Sequence, residues 1–185
     1  MPALYFTFIA VLLAGLGSRD QMTMAALSAR RGRDPGLLLV AVLAAVLTAG
    51  FAAYAARVIL TELPAPARAI FAGIALGMAG LESLVLVPRR DLEEPTHSLF
   101  ATFLVLLVHQ VTDAARFMIF GVAVGTNAVV PAGIGGVIGG VVLAAVAWGW
   151  PHLFARPALR VARRLVGAVL LLVAIGLALS EFGIL

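Results

Sequence analysis

Apolar residues form six long runs along the chain, and short polar connections separate each run from the next. The runs cover residues 4–29, 37–56, 69–87, 99–124, 132–150 and 165–185. A helix needs about 20 mostly apolar residues to cross the hydrocarbon core of a bilayer, so each run is long enough for one span. The pattern predicts an all-α protein: a polytopic membrane bundle of six transmembrane helices that forms a single membrane domain over residues 1–185.

Polar and charged residues interrupt four of these runs. The first run contains a polar patch from Ser18 to Gln21, and the fourth contains one from His109 to Arg116. The third run carries Glu82, and the sixth carries Glu181 near its end. Charged groups at membrane depth are costly, and they usually face the interior of a bundle or a water-filled path. The patches are therefore the first place to look for function.

Composition agrees with a membrane protein. Hydrophobic residues make up 63% of the chain and charged residues only 12%, and the mean hydropathy is +1.11. A typical soluble domain is about half apolar and about a quarter charged. The absence of cysteine excludes a disulfide framework, a thiolate metal site and a thiol nucleophile. The basic pI comes from arginines that lie between apolar runs without forming a basic face, so we expect no nucleic-acid partner.

Arginines near the ends of the runs predict the orientation. Connections one, three and five carry nine of them, whereas the connections on the opposite side carry only Arg57 and Arg68. The nine are Arg30, Arg31, Arg33, Arg89, Arg90, Arg156, Arg160, Arg163 and Arg164. Because cytoplasmic loops are enriched in basic residues, we expect an inner-membrane protein with both termini outside and with the connection at residues 88–97 in the cytoplasm.

The two halves of the chain share a pattern. Two spans within residues 1–63 and a third at 69–87 make up the first half, and residues 98–185 make up the second. The first and fourth runs align so that their polar patches fall at the same place, just past the middle of each span. Three spans per half require the second half to be inverted in the membrane. Inverted halves with polar groups near the midplane are typical of secondary transporters.

Asp113 and Asp20 are the leading candidates for a cation or proton site, and they are also candidate metal ligands. Asp113 lies four residues after His109 and three before Arg116, so it can pair with either side chain or with a bound cation. Asp20 directly follows Arg19. One interpretation brings the two aspartates together from the two halves. In the alternative, each acid is neutralised by its own arginine and the patches only hold helices together.

Five further residues complete the candidate ion or substrate site. They are Gln110, Ser18, Gln21, Thr112 and Glu82. The depth of Glu82 in its run is compatible with a buried ligand or with a position at the cytoplasmic interface. His109 is expected to relay protons or only to pack between helices.

Glycines in the fifth run have the small-xxx-small spacing that permits close approach of helix backbones. Gly135 and Gly139 form one such pair, and Gly136 and Gly140 form another. They predict close packing within the bundle or a contact in a homo-oligomer. The chain contains no Gly-x-Ser-x-Gly elbow and no His-Glu-x-x-His helix. We therefore expect neither enzyme activity nor a cofactor.

The polar patches also resemble a family motif. The manganese/calcium cation–proton exchanger family of the lysine-exporter superfamily carries Glu-x-Gly-Asp-Lys-Thr/Ser once per half. The first patch keeps its glycine at Gly17 and a base at Arg19, and the second keeps its aspartate at Asp113. Ser18 stands where the first half of the motif has aspartate, and Gln110 where the second has glutamate.

This resemblance implies six spans, two inverted halves and a transported divalent cation. A hard cation such as calcium takes six or more oxygen ligands, yet of the motif's four carboxylates only Asp113 remains. The leading hypothesis is a secondary transporter of the cation/proton exchanger type, which carries manganese, calcium or protons across the lipid bilayer by alternating access. The alternatives are a proton-coupled carrier of another small solute and a non-transporting membrane scaffold or subunit.

Overall fold

Eight α-helices account for most of the chain in the computed structural model, which describes residues 2–86, 98–181 and 183. They are α1 (Pro2–Gly15), α2 (Arg19–Arg31), α3 (Pro35–Glu62), α4 (Ala65–Val85), α5 (Leu99–Val111), α6 (Ala114–Thr126), α7 (Val129–Gly149) and α8 (Ala158–Glu181). A short 3-10 helix, Pro151–Ala155, joins α7 to α8. No β-strand occurs in the described residues. The predicted connection at residues 88–97 lies outside them.

Four helices, α3, α4, α7 and α8, are each long and apolar enough to cross a membrane. The first and fourth apolar runs are each broken into two helices. The axes of α1 and α2 differ by 66°, and those of α5 and α6 differ by 51°. The chain therefore has four candidate membrane-spanning helices, or six if each bent pair crosses as one span. This confirms the prediction of an all-helical protein with membrane-spanning character.

Backbone conformation explains both breaks. At the first, Gly17 is left-handed with φ +74°, and Ser18 is extended as the N-cap of α2. A residue with a Cβ would be strained at Gly17, so glycine permits this turn. At the second, Asp113 is extended as the N-cap of α6. Serine and aspartate are common at such caps and unfavourable in helix interiors, although neither side chain makes a capping hydrogen bond here.

Helix α8 begins seven residues before the predicted sixth span. Only Pro151–Ala155 and three adjoining residues separate it from α7, so the predicted connection at residues 151–164 is partly wrong. Arg160, Arg163 and Arg164 lie in the first two turns of α8 instead. The apolar run alone could not reveal this, because arginine is a good helix former and extends a helix beyond the membrane core.

Small residues fill the interior of the bundle, and large apolar residues cover its outside. In α3, Ala45 and Ala49 are fully buried, whereas Leu39 and Leu47 are more than half exposed. Small residues at helix contacts let backbones approach closely, and large side chains directed outwards suit a lipid environment.

The glycines of α7 pack against other helices of the same chain. A Cβ at Gly135 would collide with the backbone of Leu4 in α1, and one at Gly139 would lie 2.8 Å from a methyl group of Val11. The predicted close packing within the bundle is confirmed. A homo-oligomer stays a prediction, and it would have to use another surface.

Candidate charged site at the two helix breaks

The two helix breaks meet inside the bundle. Arg19, at the start of α2, donates from Nη2 to Thr112 Oγ1 over 2.8 Å. Gln110, at the end of α5, donates from Nε2 to Asp20 Oδ2 over 2.9 Å. Residues that are about ninety positions apart in the chain therefore form direct hydrogen bonds. The predicted convergence of the two polar patches is observed.

At the first break, hydrogen bonds hold every candidate side chain. Gln21 accepts the Gly17 backbone N–H at Oε1 over 2.7 Å and donates from Nε2 to the Leu143 carbonyl of α7 over 3.0 Å. Ser18 donates its hydroxyl proton to Asp20 Oδ1. Both Asp20 oxygens thus accept a hydrogen bond from a neutral donor, one from Ser18 and one from Gln110.

Gln110 links the first break to a buried arginine. Its Oε1 accepts from Arg116 Nη2 over 2.7 Å and lies 3.0 Å from the Thr48 hydroxyl of α3. Arg116 Nε also donates to that hydroxyl, over 2.9 Å. All three side chains are buried. Because the amide of Gln110 donates to Asp20 and accepts from Arg116, it fixes the geometry between the two breaks.

Asp113, at the second break, has a very different environment from that of Asp20. Only 2% of the residue is exposed, and neither carboxylate oxygen has a hydrogen-bond donor among the described residues. Its nearest cationic nitrogens are Arg116 Nη1 at 3.8 Å and Arg163 Nη2 at 3.9 Å, both beyond hydrogen-bond distance. The N-terminus of α6 adds a favourable dipole. Asp113 is therefore a buried charge with compensating cations nearby and free coordination sites.

Two predicted partners of these acids make other contacts. His109 does not pair with Asp113: its Nδ1 lies 3.5 Å from the Thr23 hydroxyl of α2. Arg19 does not neutralise Asp20. Besides its bond to Thr112, its Nε lies 3.9 Å from Glu82 Oε1. The arrangement in which each acid is neutralised by its own arginine is therefore not observed at the first break.

Glu82 is buried inside the bundle, with 7% of the residue exposed. Its Oε2 accepts a hydrogen bond from Arg163 Nη2 of α8. Arg163 is only 3% exposed, whereas its neighbours Arg160 and Arg164 are exposed. Counting Arg163 among the topological anchors is therefore wrong, because α8 begins early enough to turn this side chain inwards.

Close contact between the backbones of α4 and α8 allows this pairing. A Cβ on Gly80 would lie 2.8 Å from the Gly167 carbonyl oxygen, and one on Gly167 would lie 2.9 Å from the Gly80 carbonyl oxygen. Arg163 precedes Gly167 by one helical turn, and Glu82 follows Gly80 by two residues. The i, i+4 spacing of Arg163 and Gly167 was a sequence signal that both lie on the same helix face.

Three acidic and three basic side chains thus form what we call the charged cluster. Its members are Asp20, Glu82, Asp113, Arg19, Arg116 and Arg163, which α2, α4, α6 and α8 supply, Asp113 as the N-cap of α6. Its formal charges cancel. Within the described ranges, no three His, Cys, Asp or Glu side chains are grouped closely enough to hold a metal ion by themselves.

Comparisons with protein-family profiles, with curated proteins and with solved structures found no match.

Proposed function

We propose that this protein is a secondary transporter of the cation/proton exchanger type that works by alternating access around the charged cluster. One observation carries the proposal: two helix breaks from distant parts of the chain are hydrogen-bonded to each other beside buried acidic and basic side chains. Broken helices whose half-helix ends lie beside a central site are a recurring design of secondary transporters. An irregular backbone at membrane depth is tolerated where protein buries it or where it lines a cavity.

Helix order and packing support two inverted halves within six spans. Each half contains a broken helix followed by two long ones: α1/α2, α3 and α4, then α5/α6, α7 and α8. Both pieces of the first broken helix pack on α7, and both pieces of the second pack on α3. The last helices of the two halves, α4 and α8, pack on each other. Exchanging the halves preserves these contacts.

The proposed orientation keeps both termini outside an inner membrane. Without Arg163, eight of the nine arginines remain on the side proposed to be cytoplasmic, against Arg57 and Arg68 on the other. The asymmetry that the positive-inside rule requires is therefore retained.

Unpaired oxygens favour a cation as the transported species. Both oxygens of Asp113, Glu82 Oε1 and Ser83 Oγ are buried without a hydrogen-bond donor among the described residues. Carboxylate and hydroxyl oxygens are the ligands that calcium and manganese prefer. A buried acceptor that lacks a donor is costly, so a bound cation or proton would relieve this cost. We therefore propose manganese, calcium or protons as substrates.

Flux measurements on purified protein in liposomes test this function. Wild-type protein is expected to take up Mn²⁺ or Ca²⁺ when an opposing proton gradient is imposed, and Asp113→Asn is expected to reduce the flux to that of protein-free liposomes. Glu62→Gln is the matched control, because Glu62 is an exposed carboxylate at the end of α3. Wild-type protein that moves neither metal ions nor protons would contradict the proposal.

The formal charge balance of the cluster also favours a second candidate, a non-transporting membrane scaffold or subunit. A cluster whose formal charges cancel can hold helices together without transporting a solute. This candidate predicts that a fixed partner protein co-purifies with the chain. It also predicts that the double variant Asp20→Asn/Asp113→Asn retains that partner and that no flux is seen in any variant.

A further inference from the structure

Arg163 lies between two carboxylates of the charged cluster. A single nitrogen, Nη2, donates to Glu82 Oε2 and lies 3.9 Å from Asp113 Oδ1. The guanidinium of α8 therefore stands between the α4 acid and the acid that caps α6. Those two carboxylates carry three of the unpaired oxygens on which the proposed function depends.

The guanidinium of Arg163 makes fewer hydrogen bonds than that of Arg116. Arg116 donates from Nε to Thr48 and from Nη2 to Gln110, so two separate bonds fix its plane. In Arg163, Nε and Nη1 are buried without an acceptor among the described residues. A buried guanidinium with five donors normally uses most of them. Arg163 is bound chiefly by the charges of Glu82 and Asp113, so a cation that replaces its charge can displace it.

We propose that Arg163 is a tethered counter-cation that occupies the space between Glu82 and Asp113 when no substrate is bound, and that a transported cation displaces it. This inference rests on the proposed function. Buried carboxylates that lose their counter-charge are strongly destabilised. With Arg163 in position, the metal-free carrier keeps its buried carboxylates compensated while it returns with the exchanged proton. Without Arg163, the return step leaves a buried carboxylate without its counter-charge.

Equilibrium binding of Mn²⁺ to the purified full-length protein tests the competition. Because a positive charge a few ångströms away opposes a bound cation, removing it with Arg163→Gln should tighten Mn²⁺ binding by about tenfold or more. Arg164→Gln is the matched control, since Arg164 is the adjacent exposed arginine of α8, and it should bind Mn²⁺ as the wild type does. Unchanged or weaker binding by a folded Arg163→Gln protein would overturn the inference.

A comparison of net Mn²⁺ uptake with Mn²⁺/Mn²⁺ exchange distinguishes a counter-cation from a residue that has only a structural role. In liposomes, Arg163→Gln should keep Mn²⁺/Mn²⁺ exchange but lose most net Mn²⁺ uptake, because only net uptake requires the carrier to return without a metal ion. Equal loss in both modes would overturn the inference. Wild-type protein that lacks both fluxes would overturn the proposed function itself, whereas wild-type transport with two equally active modes in Arg163→Gln would overturn only the role of Arg163.

Restoring the positive charge provides a second test that does not depend on the glutamine variant. The chain has no cysteine, so Arg163→Cys introduces a unique thiol. Attaching an ethylammonium group through a disulfide should restore net uptake, and attaching a neutral methyl group should not. Arg163→Lys should also retain net uptake, because the ammonium keeps the charge. Net uptake that is lost in a folded Arg163→Lys protein, or restored equally by the methyl group, would contradict the proposal.

Discussion

The two helix breaks lie at corresponding positions in the first and fourth apolar runs, but their acidic residues have different environments. Asp20 is partly exposed, and neutral donors, Ser18 and Gln110, bind both of its oxygens. Asp113 is buried, and within the described part of the chain its oxygens accept no hydrogen bond. Among the described residues, guanidinium groups just beyond hydrogen-bond distance and the N-terminus of α6 compensate its charge.

This difference separates an acid that accepts hydrogen bonds from an acid whose acceptor sites are unused. A carboxylate that already accepts a hydrogen bond at each oxygen gains less from a cation than one that accepts none. In the proposed transporter, the first break therefore positions the two broken helices relative to each other, and the second presents the binding group. Gln110 connects the two breaks, because its amide donates to Asp20 and accepts from Arg116.

The largest effect on stability is expected from Arg116→Gln. The change removes the donors to Thr48 and Gln110 and one of the two cations near Asp113. Breaking a buried ion pair from one side costs about 3–5 kcal/mol, so the unfolding temperature in detergent should fall sharply. Arg57→Gln, at an exposed arginine of α3, is the control. The double variant Arg116→Gln/Asp113→Asn should recover much of the loss, and a double variant less stable than Arg116→Gln would contradict this account of Asp113.

A smaller effect is expected from Gln110→Ala. The change removes the bond between the breaks and leaves Arg116 with one acceptor fewer, but the partly exposed Asp20 can be hydrated instead. Leaving a buried donor without a partner costs about 1–3 kcal/mol. Thermal unfolding measured beside Arg116→Gln checks the order. A loss of stability in Gln110→Ala that exceeds the loss in Arg116→Gln would show that the two breaks are joined in another way.

Hydropathy and positions of polar residues predicted much of this arrangement. Long apolar runs need satisfied backbone groups in a membrane, which requires helices, and the six runs all correspond to helices or bent helix pairs. Polar residues such as Asp20 and Asp113, placed at the same depth in two runs, indicated one buried site, because charges avoid lipid. Their side chains meet through Gln110 and Arg116 rather than directly.

Other features could not be predicted, because they depend on contacts between helices. Apolar content does not show whether a run is one helix or two, and the break at residues 112–113 contains no glycine. Arg163 was taken for a surface anchor because the chain pattern does not show where α8 begins or which helix its inner face meets. The close crossing of α4 and α8 at Gly80 and Gly167 determines which helix the inner face of α8 contacts.

Proton-driven Mn²⁺ uptake by Asp113→Asn and Asp20→Asn, measured side by side in liposomes, tests the central claim most directly. Both variants remove one carboxylate charge from the charged cluster and differ only in the helix break that they affect. The account predicts uptake by Asp113→Asn at the level of protein-free liposomes and clearly measurable uptake by Asp20→Asn. Uptake by Asp113→Asn equal to that of the wild type, or lower uptake by Asp20→Asn than by Asp113→Asn, would contradict it.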